Sequence, residues 1–221
     1  MRELEELLRD TAGREGSAPS SSGVRTLPNK PTLNLPELRL PDDLPHISYC
    51  IEDSPLGRLL LARTARGLVR VAYLSPAPGA PSDSELTGQI LQVLADRITP
   101  RILERSAALD QTRRELDEFF NGRRQKFGLA LDWQLTSGFA ERILKATDMI
   151  PFGELSSYKG VATAAGNERA SRAAGNALGS NPLPIVVPCH RILHSGGGLG
   201  GYTGGLERKL ALLRIEGHLL C

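Results

Sequence analysis

The sequence predicts an α+β fold. A small N-terminal β-sheet/helix domain leads into a mostly helical C-terminal domain carrying a helix-turn-helix and a cysteine loop. Three observations point there. Residues 46–74 hold apolar residues in short runs and alternations of strand type. From residue 83 onward apolar residues recur at helical spacing in one segment after another. The 221 residues, 40% of them hydrophobic, suffice for one large domain or two small ones. The expected division is a mobile leader (1–45), an α+β domain (46–135) and a C-terminal domain (136–221).

In chain order, MRELEELLRD sets Leu4, Leu7 and Leu8 on one side of a helix too short to stand alone in water. Residues 11–45 are rich in Ser, Gly and Pro, with six prolines from Pro19 to Pro45, and read as a mobile linker. HISYCIED is a candidate strand. GRLLLARTARGLVRVAYL reads as two strands joined by a tight turn at Thr64–Gly67. SDSELTGQILQVLADRI is a helix with Ser82 or Asp83 as N-cap. ALDQTRRELDEFFNGRR is a stronger one, with Leu109, Leu116, Phe119 and Phe120 on a common face and Asn121-Gly122 as its stop. FGLALDW is extended. SGFAERILKATDMI is a helix capped by Ser137 and ended by Pro151. PFGELSSYKGVATAAG gives a turn and a short helix. A break at Gly166-Asn167 leads to a second helix over ERASRAAGNALGS. Small residues fill this pair, including Ala162, Ala165, Ala174 and Gly175, so the two helices, or a helix and a nucleic-acid backbone, can approach closely.

The formal charge of +2 is too small to announce a nucleic-acid binder. Residues 137–221 carry nine Lys/Arg against six Asp/Glu, so a nucleic-acid surface would be a local patch. Cys50, Cys189 and Cys221 form no CxxC pair, and an odd count suits a reducing compartment. His46 with Cys50 reads as a strand pair rather than half a metal site. The first residues are charged where a signal peptide is apolar, and no stretch reaches membrane-span length. A cytoplasmic monomer without cofactor or metal is expected.

PIVVPCHRILHSGGGLGGYTGG, Pro184 to Gly205, holds the chemistry. It sets Cys189 beside His190, after an apolar run expected to press a strand into the core and before seven glycines. The thiolate is the reactive form of cysteine, and a histidine can take the thiol proton. Neighbours on an extended chain point oppositely, so Cys189 and His190 need a bridging water or a turn at Pro188. Glu216 is a candidate to orient His190. By residue type alone, Cys189 could equally be a buried structural cysteine.

From about Phe139 to Gly217 the sequence resembles the O6-alkylguanine-DNA alkyltransferases. The signature Pro-Cys-His-Arg stands as Pro188-Cys189-His190-Arg191. PFGELSSY resembles the segment leading to the family's DNA-contacting tyrosine, here Tyr158. NERASRAAG resembles its recognition helix, with Arg172 as the inserted arginine. Asn181-Pro182, GGYTGG and RIEG, ending at Glu216 and Gly217, complete the match. The first half fits the family's variable N-terminal domain only loosely.

The resemblance implies single-turnover DNA repair. Double-stranded DNA carrying O6-alkylguanine, possibly also O4-alkylthymine, is bound through its minor groove. The damaged nucleotide is flipped out, and its alkyl group passes irreversibly to Cys189. Ala170, Ser171 and Gly175 would let the recognition helix approach the DNA, and Arg172 would fill the vacated stack. Tyr158 would press on the phosphate near the flipped nucleotide and help protonate the departing guanine. The carbonyls of Cys189 and Ile192 would accept from the guanine amino group, and the N–H of Thr203 would reach O6. Tyr202 and Pro184 would line the alkyl slot. Asn181 would brace the active-site turn. His190, through a water and backed by Glu216, would hold the proton balance. The glycines would let the loop fold over a planar base. One departure is Asn176 after Gly175, where the family often has a second glycine. Two other functions compete: a protein that binds alkylated DNA without repairing it, against which Cys189 argues, and a thiol hydrolase, which would turn over.

Overall fold

The computed structural model describes residues 46–74 and 81–218. The expected N-terminal helix, the linker and Cys221 lie outside them. The elements are β1 (Ile47–Glu52), β2 (Leu59–Thr64), β3 (Gly67–Tyr73), α1 (Asp83–Arg97), β4 (Ile102–Glu104), α2 (Asp110–Phe120), α3 (Gly138–Asp148), β5 (Ser156–Ser157), α4 (Tyr158–Ala164), α5 (Ser171–Gly179), β6 (Ile192–Leu193) and α6 (Leu206–Ile215). The architecture is the α+β class expected.

One sheet has the order β3-β2-β1-β4, antiparallel except for the parallel β1–β4 pair. Strand β2 is central, and Leu59 to Ala62 are fully buried. That is why this stretch reads as an apolar run and not an alternation. Leu60 and Ala62 pack with Val69 and, from α1, Leu94. Leu59 and Leu61 face the other way and join Leu116 and Phe119 of α2, Ile143 and Leu144 of α3, and Val187. The second face of the sheet thus shares a core with the C-terminal helices. Gly67 tightens the β2–β3 turn at φ 145°, and a Cβ there would collide with the Ala130 carbonyl.

Local chemistry explains most boundaries. Ser82, not Asp83, caps α1, in a capping box with Glu85. Leu109, Leu116 and Phe119 are buried as the helical spacing requires, with Phe120 half-buried beside them.

Other expectations are corrected. Strand β4, at three residues too short to show a pattern, has no counterpart among the expected elements. FGLALDW forms no strand, and is bridged to β3 at Leu68 and Leu131. Ser137 precedes α3 but its side chain caps nothing; its carbonyl accepts from Glu141 N instead. The second helix of the small-residue pair begins at Ser171 rather than Glu168, because Asn167–Ala170 form the turn. The apolar run before Cys189 is buried but is not a strand. Two prolines interrupt its ladder donors, and Ile185 sits at φ 73°. That conformation is strained for a β-branched residue. Among the described residues no helix is long and apolar enough to cross a membrane.

Candidate active site

The site hangs between the end of α5 and the edge of the sheet. After α5 the chain passes Asn181-Pro182, where the Pro182 carbonyl accepts from Val71 N of β3 at 2.8 Å. Val187 N closes back onto Leu183 O at 2.8 Å. Cys189–Arg191 then form one 3₁₀ turn, with Arg191 N donating to Pro188 O at 3.0 Å. A turn at Pro188 therefore replaces the extended geometry that would have sent Cys189 and His190 to opposite faces.

Asn181 organises this turn. Its Nδ2 donates to Val187 O at 3.0 Å and to Cys189 Sγ at 3.2 Å, while its Oδ1 accepts from Leu183 N at 2.9 Å. The helix C-cap is Ser180, so Asn181 is a brace rather than a cap. Burial pushes the Cys189 thiol up to about 11, against the weaker opposing pull of the Asn181 bond and the Lys209 charge. The unliganded site thus stores a thiol, not a thiolate.

Behind the sulfur lies a buried charge group. His190 is fully buried, with Nε2 2.8 Å from Glu216 Oε1. Arg191 Nε donates to Glu216 Oε2 at 2.9 Å, and its Nη2 donates to Oε1 at 2.8 Å. Burial alone would raise the Glu216 carboxyl, but the bonds from His190 and Arg191 outweigh it and hold it at about 2. Burial lowers His190 despite Glu216, which favours neutral imidazole. With Nε2–H donating to Glu216, Nδ1 carries a lone pair, and this buried atom has no partner among the described residues.

A cavity of about 270 Å³ opens over Cys189, lined also by Tyr158, Gly175, Leu178, Tyr202 and Thr203. Ser157 caps α4 and sets Tyr158 at its first turn. The Tyr158 ring lies 3.8 Å from where a Cβ of Gly175 would stand, and its hydroxyl would come within 2.6 Å of one on Gly200. Gly200 also has φ 67°, so the loop needs glycine there for both conformation and space.

The structure gathers Cys189, Tyr158, Gly175, Tyr202 and Thr203 around one space, and sets Asn181, His190 and Glu216 behind it. Ala170 and Ser171 are half-buried at the start of α5, and Arg172 is exposed one turn from Gly175. Pro184 lines a neighbouring cavity, with Asn181 and Thr203 in the same wall. The Ile192 carbonyl already accepts from buried Lys209 Nζ, leaving one lone pair for a ligand.

Three contributors escaped the sequence reading. Arg191 was legible only as a letter of the Pro-Cys-His-Arg motif. Lys209 ties Ile192 O and Leu199 O together beneath the glycine loop, and burial draws it down to about 8. A lysine three and four residues before buried Leu212 and Leu213 was its one signal. Tyr73, at the end of β3, meets Tyr202 hydroxyl to hydroxyl at 3.0 Å, and nothing local announces that.

Residues 138–218 match the family described as 6-O-methylguanine DNA methyltransferase, DNA binding domain, and residues 47–133 its ribonuclease-like domain. A methylated-DNA–protein-cysteine methyltransferase of Methanosarcina barkeri is 36% identical over 168 residues, spanning 76% of this chain and 96% of that protein. One from Mycolicibacterium paratuberculosis is 44% identical over 170 residues, 77% and 92% of the respective chains. The crystal structure of the Mycobacterium tuberculosis O6-methylguanine methyltransferase superposes with a TM-score of 0.61 at 32% identity, covering 77% of this chain and 92% of that one. That of the M. tuberculosis OGT in complex with DNA gives 0.59 at 32% identity, covering 77% and 93%.

Proposed function

The chain belongs to the methylated-DNA–protein-cysteine methyltransferases, which bind DNA and repair it by alkyl transfer, and from that premise we propose that Cys189 accepts the alkyl group of O6-alkylguanine once per molecule. The observation that carries this reading is the position of Cys189 Sγ. It forms part of the wall of a cavity shared with Tyr158 and with Gly175 of α5.

Helix α5 approaches the minor groove, where its small residues admit the backbone. The target carbon is inaccessible in the stack, so the nucleotide rotates out and Arg172 takes its place. The exposed Arg172 side chain makes no hydrogen bond or ion pair among the described residues, which suits it to that task. The base enters beneath the glycine loop. Its amino group meets the carbonyls of Cys189 and Ile192, and its O6 meets the N–H of Thr203.

A thiol at about 11 must lose its proton as the base docks. Nδ1 of His190 is the acceptor, reached through one water, and Glu216 stabilises the imidazolium that results. Asn181 Nδ2 and the Lys209 charge stabilise the sulfur anion. The Sγ–carbon bond forms as the carbon–O6 bond breaks, and the bonding pair goes to O6. The thiol proton ends on the released guanine, by way of His190 and Tyr158. A neutral thioether remains, whose carbon–sulfur bond offers no good leaving group to an attacking nucleophile, so each molecule reacts once. A cytoplasmic monomer fits this use.

Intact mass after incubation with a methylated-guanine duplex tests the reading. Methyl gain should stop at one equivalent, on a peptide containing Cys189, and Cys189→Ala should abolish it while retaining DNA binding. Continued turnover, or label on Cys50 or Cys221, would overturn it.

A further inference from the structure

Tyr202 lines the cavity over Cys189, and its ring packs edge to face against both His190 and Tyr73, with ring centroids 6.5 and 6.3 Å away. Tyr73, at the end of β3, lines the neighbouring cavity instead. The two phenol oxygens lie 3.0 Å apart, so one hydroxyl donates to the other. Among the described residues neither oxygen has a further hydrogen-bond partner. Burial raises both hydroxyls above the ordinary tyrosine range, so both keep their protons.

Tyr73 is itself held in place. The Arg208 guanidinium of α6 lies 4.5 Å over its ring, while Arg208 Nε donates to Leu56 O at 2.8 Å and Nη1 donates to Gly204 O at 3.0 Å. Gly204 is the point where both rings meet the loop. A Cβ there would stand 2.6 Å from the Tyr73 ring and 2.7 Å from the Tyr202 ring, so any side chain would push the two phenols apart. The Tyr202 hydroxyl depends on this arrangement. Without the Tyr73 oxygen it is a buried polar group with no partner, and the phenol must turn to find water. Its ring, which is cavity wall, turns with it.

We propose that Tyr73 is a positioning residue for alkyl transfer, whose hydroxyl fixes the Tyr202 ring at the angle that holds the damaged base in line with Cys189 Sγ. The inference rests on Cys189 being the acceptor. Tyr73 exchanges no proton and touches no reacting atom. The sulfur–carbon bond forms and the carbon–O6 bond breaks as before, and Tyr73 acts only through Tyr202. In-line displacement is sensitive to such placement, because a small shift of the bound base takes the reacting atoms out of line.

Single-turnover transfer from an O6-methylguanine duplex to the full chain, followed against duplex concentration, separates the limiting rate from the half-saturating concentration. Tyr73→Phe keeps the ring beneath Arg208 and removes only the hydroxyl. It should lower the limiting rate roughly fivefold or more and leave the half-saturating concentration within about twofold, because the duplex meets α5 and not the phenol. Tyr202→Phe should behave alike. The double variant should be no slower than either single one, since the second substitution removes the hydroxyl that the first left unpaired. A role confined to the fold would lower thermal stability or the active fraction and leave the limiting rate of that fraction unchanged, and this result would overturn the proposal. Single losses that multiply in the double variant, or a loss confined to the half-saturating concentration, would overturn it as well. Failure of the unaltered chain to transfer methyl would instead remove the Cys189 assignment itself.

Discussion

Glu216 shows at the scale of one residue how a buried charge is kept. It accepts from His190, from three bonds of Arg191 and from Gly153 N, so its desolvation is offset on every side. Glu216→Gln preserves the shape but removes the charge, leaving Arg191 buried without a carboxylate. The expected cost is about 3 kcal/mol of stability. Transfer should also slow, on duplex and free base alike, because the imidazolium at His190 loses its counter-charge. The pH dependence follows from the sign of the shift. The folded carboxyl sits at about 2, below its unfolded value of about 4.3, so its stabilisation is complete above that value and is lost as pH falls toward 2. Urea unfolding between pH 5 and pH 2 should therefore show a steeper loss in the unaltered protein than in Glu216→Gln. Parallel curves would mean that the pairing does not hold the carboxylate.

At the scale of elements, α4 and α5 together build one wall of the cavity over Cys189. Helix α4 presents Tyr158 to the cavity, and α5 presents Gly175 to the Tyr158 ring and Arg172 to solvent. A Cβ at 175 would stand in ordinary van der Waals contact with the Tyr158 ring, so α5 lies close against the tyrosine that lines the pocket. If Arg172 occupies the vacated stack, Arg172→Ala should slow repair in duplex DNA by about 1–3 kcal/mol of activation free energy, the scale of the unstacking it offsets. Reaction with free O6-alkylguanine, which needs no extrusion, should change far less. Single-turnover rates on both substrates decide, and equal losses would reassign Arg172 to the fold.

At the scale of the whole molecule, the N-terminal sheet holds the site although it carries none of its chemistry. Val71 N anchors Pro182, Tyr73 meets Tyr202, and Arg208 Nε donates to Leu56 O at 2.8 Å while its guanidinium lies over the Tyr73 ring. One apolar cluster runs from Leu59 and Leu61 of the sheet through α2 and α3 to Val187, two residues before the cysteine. Residues 136–221 alone should accordingly expose that cluster and lose the loop. Circular dichroism and transfer assays on the fragment should show reduced thermal stability and at least about a tenfold lower rate. A fragment as stable and active as the full chain would refute the dependence.

The sequence alone determined the fold class, the helices with long apolar periods, the capping of α1 near Ser82, and the identity of Cys189, His190, Asn181 and Glu216 as site candidates. These are local or motif-level signals: a period, a cap, a cluster of letters in order. It misread what depends on partners distant in the chain. The apolar run before Cys189 looked like a strand because hydrophobic composition reports burial, not backbone direction, and only the fold shows that Pro184 lines the cavity beside Asn181. Arg191, Lys209 and Tyr73 stayed hidden for the same reason. Each acts through a group remote in sequence, and a buried cation or a hydroxyl pair leaves no periodic trace. Tertiary structure decided them, because the free energy of a buried polar group depends on which atoms the fold brings against it.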